Sequence, residues 1–146
     1  MKDPVAIARS WIGTPYVHQA SVQGAGCDCL GLLRGVWRAL YGQEPCAIPP
    51  YSQDWSEAAG REDLMLAANT WLQRKDVLDA ASGDVLLFRM RPNAIAKHIG
   101  IQGNIGQSAS FIHAYSGHGV LESPLGDAWA GKIVARYRFP LRPLGV

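Results

Sequence analysis

The sequence predicts an α+β domain, with helices in the first half packed on a C-terminal antiparallel sheet of about five strands. Three observations point there. Helical periodicity is confined to the chain before Gly83. After it come short runs rich in Val, Ile, Phe and Tyr, separated by Gly, Asn and Ser. A length of 146 residues, with 48% hydrophobic and 18% charged content, is enough for one core. No internal repeat or low-complexity linker interrupts the pattern, so residues 1–146 are expected to form a single domain.

In chain order, Asp3 to Ile12 reads as a helix. Asp3 can cap it, Pro4 suits its first turn, and Val5, Ala8 and Ile12 share a face. A second helix is expected from about Asp28 to Tyr41, where Leu30, Leu33, Val36, Trp37 and Leu40 recur at three- and four-residue spacing and Gly42 closes the run. "EPCAIPPYSQDWS" is a Pro-rich loop. Glu62 to Lys75 predicts a further helix with Leu64, Ala67, Ala68, Trp71 and Leu72 inward. "GDVLLFRM", "KHIGIQG", "SFIHAYSG", "GVLES" and "KIVARYRF" are the five strands. From the last of them onward Arg136, Arg138 and Arg142 alternate with Tyr137, Phe139 and Leu141, the pattern of a solvated outer strand face.

Composition removes several function classes. A formal net charge of +2 without a basic stripe argues against a nucleic-acid partner. No run approaches the roughly 20 apolar residues of a membrane span, so membrane insertion is not expected. The start "MKDPVAIARSWIGTPY" lacks the apolar core of an export signal. Three cysteines cannot all pair within one chain, which fits a reducing compartment.

The informative stretch is "GAGCDCLGLLRGVWRALYG", Gly24 to Gly42, which sets Cys27 and Cys29 one residue apart at the mouth of a helix. A disulfide between them would close a strained, easily reduced ring. A redox pair needs two intervening residues. Cys27, Cys29, His98 and His113 offer zinc two thiolates and two imidazoles, but the usual knuckle has two to four residues between cysteines. A catalytic thiol fits better, so no metal and no cofactor is expected. Cys29 falls in the first turn, where unpaired N–H groups and the helix dipole favour a thiolate. His98 and His113 lie in consecutive strands, which can bring both rings to one end of the sheet. His98 would be the base and His113 its orienting partner. His18 follows Tyr16 closely and borders the same region. Arg89, Arg91 and Lys97 are candidate cleft cations, and Tyr51 and Trp55 candidate groove walls.

With these residues in place, the chain resembles the NlpC family of cell-wall cysteine peptidases, which have a compact papain-like fold. "GTPYVHQ" resembles the family's Gly-x-Pro-Tyr segment and "GCDCLGLL" its Asp-Cys-Ser-Gly-Leu motif. "SGDVLLF" resembles Gly-Asp-Leu-Val-Phe, "KHIGI" resembles His-Val-Gly-Ile, and "FIHAY" the segment carrying the third catalytic residue. The resemblance implies a Cys-His-His triad of Cys29, His98 and His113, with the Tyr16 hydroxyl and the Cys29 N–H stabilising the oxyanion. It implies substrate contacts at Asp28, where the family recognises a free amine, although Asp28 also suits a helix cap. Leu30 stands where the family has a serine that contacts substrate, and His18 is grouped with these contacts. The implied partner is a peptidoglycan stem peptide, cut between γ-D-glutamate and a diamino acid. "GTPYVHQASVQGAGCDCLGLLRGVWR" is most similar to a subgroup found in phage tails and gene transfer agents. That implies synthesis in the cytoplasm, incorporation among phage-like tail proteins and action on the periplasmic wall. Three rivals use the same features: a catalytically silent tail protein, a zinc-binding module, and a thiol amidase or acyltransferase.

Overall fold

A computed structural model of the chain describes residues 2–53, 55 and 60–141. Asp3 caps α1 (Pro4–Arg9) by accepting from the Val5 N–H at 2.9 Å, and Pro4 occupies the first turn. The helix is shorter than its periodicity suggests. The chain then turns so that Gly13 donates to the Val120 carbonyl at 3.0 Å and Val120 to that of Thr14 at 2.9 Å. This turn shifts the phase of the apolar stripe: Trp11 is buried, whereas Ile12 is 47% exposed.

A two-stranded ribbon, β1 (Ser21–Val22) and β2 (Gly26–Cys27), leads into α2 (Cys29–Tyr41). Asp28 caps α2 and Gly42 closes it in the left-handed region, at φ 92°. The close packing of ribbon on helix depends on Gly31, because a Cβ there would meet the Ala20 carbonyl oxygen at 1.9 Å. Gly31→Ala is therefore expected to destabilise the protein by roughly 2–3 kcal/mol, despite alanine's better helix propensity. A denaturant midpoint equal to that of the parent would contradict this.

The predicted third helix is two elements. α3 (Asp63–Trp71) buries Leu64 and Ala68 but leaves Ala67 exposed, and β3 (Gln73–Lys75) follows as a strand. Leu72 takes up extended backbone, which lets residues 73–75 pair with 136–138. The five predicted strands are β4 (Val85–Arg89), β5 (Ala96–Gln102), β6 (Ser110–Tyr115), β7 (Gly119–Pro124) and β8 (Ile133–Arg138). With β3 they form a six-stranded sheet in the order β3-β8-β4-β5-β6-β7, antiparallel throughout.

The central strands are covered on both faces, which explains the unbroken apolar run Val85–Phe88. One face, including Val85, Leu87, Ile99, Ile101 and Ile112, packs with α1, α2 and α3. The other face, Leu86, Phe88 and Phe111, is closed by Leu125 and by Trp129 of the short helix α4 (Asp127–Ala130).

Arg136 departs from the solvated strand face its alternation suggests. It is 4% exposed, and its Nη1 donates to Asp84 Oδ2 at 2.9 Å and Gln102 Oε1 at 2.8 Å. Its Nε donates to the Val77 carbonyl at 2.8 Å. The loop 76–84 folds over that end of the sheet and turns an expected surface charge into an internal one. Arg138 is exposed as expected, and Arg142 lies outside the described residues.

Candidate active site

The site forms where two strands part. β5 pairs with β4 from Ala96 to Ile101, but with β6 only through Ile101–Ile112 and Gln102–Phe111. Beyond those two rungs the β5 backbone is released on its β6 side. Cys29, at the first turn of α2, fills that opening: Sγ lies 3.9 Å from the carbonyl of Lys97, the residue before His98. The nucleophile candidate therefore comes from the helical layer and reaches the sheet at the root of the base candidate.

His98 and His113 are brought together as the strand order requires, with His98 Nε2 and His113 Nδ1 2.8 Å apart. This leaves Nδ1 as the His98 nitrogen for Cys29. His113 is 1% exposed, and its Nε2 is 2.9 Å from Ser123 Oγ on β7. The His98 ring packs against both Phe88 and Trp129, at centroid distances of 5.7 Å each. Trp129 also meets the His113 ring edge-on, at 5.3 Å. Tyr16 is fixed beside the nucleophile by a parallel bridge to Cys27, in which Cys27 donates to the Pro15 carbonyl and Val17 to the Cys27 carbonyl. One cleft is lined by Tyr16, Asp28, Cys29, Tyr51, His98 and Tyr115, with His18, Trp55 and Lys97 also on its walls.

Asp28 is 2% exposed and is held by three donors from within the chain. Oδ1 accepts from the Gly31 N–H, completing the helix cap, and Oδ2 accepts from the Gln19 N–H, both at 2.7 Å, and from the Tyr51 hydroxyl. His18 Nδ1 stands 3.7 Å from Oδ2, and its Nε2 is 2.9 Å from the Tyr51 carbonyl. Tyr51 stacks on Trp55 at 4.3 Å, so this pair walls the cleft. Leu30 points elsewhere: it lines a separate apolar pocket between α2 and α3, with Trp37, Leu64, Ala68 and Ile99. Of the three candidate cations only Lys97 reaches the cleft. Arg89 and Arg91 border another depression, where Arg89 faces Glu62 at 3.7 Å.

The four residues of the zinc alternative are not arranged as a ligand set. Cys27 is fully buried in β2, and among the described residues no group of three or more His, Cys, Asp or Glu side chains could hold a metal ion. All three cysteines are free.

Electrostatics departs from the helix-terminus expectation. Burial pushes the Cys29 thiol up to about 12, with the Asp28 carboxylate adding to the rise. Backbone amides, including those of Ile99 and Leu30, pull the other way but less. The helix-terminus effect is thus present and outweighed by desolvation. Burial, then His113, lowers His98 to about 3, and burial, then His118, lowers His113 to about 4. Burial thus favours the neutral thiol and the neutral imidazole alike.

These lowered values have a consequence for stability. Both rings stay neutral in the fold, while the unfolded chain takes up protons below about pH 6.5. Their stabilisation is complete above that value and is lost as pH falls toward 4 and 3. The loss approaches about 1.4 kcal/mol per pH unit for each ring. Melting followed from pH 7 to 5 should show this slope, and a His98→Gln/His113→Gln protein should be flatter. Equal slopes would contradict the assignment.

Sequence reasoning missed Ser123 and Trp129. Neither carries a local signal: Ser123 is one polar residue in an edge strand, and Trp129 a lone aromatic between the predicted strands "GVLES" and "KIVARYRF".

No protein-family model matches the chain, and no curated protein matches it in sequence. Its fold does match solved structures. One, from Staphylococcus aureus, is described as similar to a lipoprotein of the NLP/P60 family (TM-score 0.58, 20% identity, 95% of this chain and 41% of that one). Another is an NlpC/P60 family protein from Bacillus cereus (TM-score 0.62, 18% identity, 94% of this chain and 39% of that one). The chain spans about two fifths of the length of these proteins, and at this identity the likeness is one of fold.

Proposed function

We propose that this chain, with the fold of NlpC/P60 proteins, is a cysteine endopeptidase that hydrolyses peptidoglycan stem peptides. The observation carrying the proposal is that Cys29, at the capped start of α2, and His98 line one cleft, with His98 Nε2 2.8 Å from His113 Nδ1. Cys29 transfers its proton to His98 and attacks the scissile carbonyl. The oxyanion faces Tyr16 and the Cys29 N–H, His98 protonates the leaving amine, and water activated by His98 releases the acyl group. The bond proposed is that between γ-D-glutamate and a diamino acid. The setting proposed is a phage-like or gene-transfer-agent tail that carries the domain to the periplasmic wall; the sequence motifs support both.

Mass spectrometry of murein digested with the purified protein tests this. Fragments ending at γ-D-glutamate are expected. Cleavage at an amide outside the stem, or acyl transfer without hydrolysis, would move the assignment to an amidase or acyltransferase on the same fold. Intact murein would favour the silent tail protein, the reading to which the buried, neutral thiol lends support.

A further inference from the structure

We propose that Ser123 is a positioning residue for the histidine pair: by accepting from His113 Nε2 it selects the His113 tautomer that lets His98 act as a base. The inference rests on the cysteine peptidase reading above. A neutral imidazole carries one N–H, and one proton lies between His98 Nε2 and His113 Nδ1, 2.8 Å apart. If His98 holds that proton, its Nδ1 is a lone pair and can take the thiol proton. If His113 holds it, the His98 proton sits on Nδ1 and the ring has nothing with which to accept. The productive arrangement puts the His113 proton on Nε2, inside a residue 1% exposed, and that N–H needs an acceptor.

Ser123 Oγ, at 2.9 Å, is placed to be that acceptor. Ser123 is only part-buried and also lines an open groove with Arg9 and Asn104, where its own hydroxyl hydrogen can turn toward solvent. Its lone pairs are then left for the ring. Without the hydroxyl, the productive tautomer strands a buried donor. The other strands only a ring nitrogen lone pair. An unpaired buried donor is costly, so the population shifts to the arrangement in which His98 cannot accept.

The test uses the full chain with a Ser123→Ala and a Ser123→Thr variant. Imidazole 15N–1H spectra should show His113 of the parent protonated on Nε2 with Nδ1 as acceptor. Ser123→Ala should move it toward the Nδ1–H form, and Ser123→Thr should retain the parent pattern. Alkylation of Cys29 by iodoacetamide, read at that residue by mass spectrometry, should slow roughly tenfold in Ser123→Ala and recover in Ser123→Thr. A parent His113 protonated on Nδ1 overturns the proposal. So does a Ser123→Ala protein with the parent tautomer and alkylation rate. Neither measurement needs murein, so a parent unable to cut murein would defeat the peptidase reading and leave the Ser123 result standing by itself.

Discussion

Cys29→Ala is expected to leave a folded protein that releases no stem-peptide fragments. The cap of α2 is the Asp28 carboxylate on the Gly31 N–H, which the substitution does not touch. The lost sulfur sits in an opening between strands, and its removal should cost about 1 kcal/mol. Chemistry should suffer far more, because no other thiol lines the cleft: Cys27 is buried in β2 and Cys46 borders the apolar pocket between α2 and α3. A covalent route without its nucleophile should fall by at least about 10⁴-fold. Melting curves and digest spectra together decide the matter. A Cys29→Ala protein that melts with the parent and still cuts at the parent rate would remove the thiol from the mechanism.

The largest stability effect is expected far from the cleft, at Asp84. Its carboxylate accepts from the Ala81 N–H at 2.9 Å and from Arg136 Nη1 at 2.9 Å, with Lys75 Nζ 3.2 Å away. Asp84 and Arg136 are 3% and 4% exposed, so neither charge has water to fall back on. Asp84→Ala leaves the guanidinium buried beside only neutral acceptors, Gln102 and the Val77 carbonyl. The expected loss is about 3–5 kcal/mol. Replacing the pair together, as Asp84→Leu with Arg136→Met, should recover much of it, because the guanidinium is no longer left without its carboxylate and Lys75 keeps Asp79, 3.8 Å away. Denaturant unfolding of the three proteins measures both steps. A loss below about 1 kcal/mol in Asp84→Ala would show that the pair is not internal in solution.

The parts of this molecule legible in its sequence are those fixed by neighbours a few residues away. α2 was readable to within a residue because its cap, apolar stripe and closing glycine are all local. The meeting of His98 with His113 was readable because a short connection makes consecutive strands adjacent. Arg136 was misread because alternation marks two faces of a strand without saying whether water or a loop covers the outer one. β3 was read as helix because Gln73, Arg74 and Lys75 carry no β signal of their own; their strand exists only through pairing with β8. The pull on the Cys29 thiol was half legible: a helix start can be seen in sequence, but the burial that outweighs it exists only once α2 is packed on the sheet, against partners such as Lys97 about seventy positions away.

The short ladder between β5 and β6 also leaves main-chain polar groups unspent. Had the two strands zipped along their full length, the Lys97 carbonyl and the Ile99 amide would be committed to β6, and the Cys29 sulfur would have neither to lie against. The incomplete pairing thus reserves a stretch of sheet edge in the middle of the fold for a side chain that comes from another layer, with Tyr51 and Trp55 walling the cleft beside it.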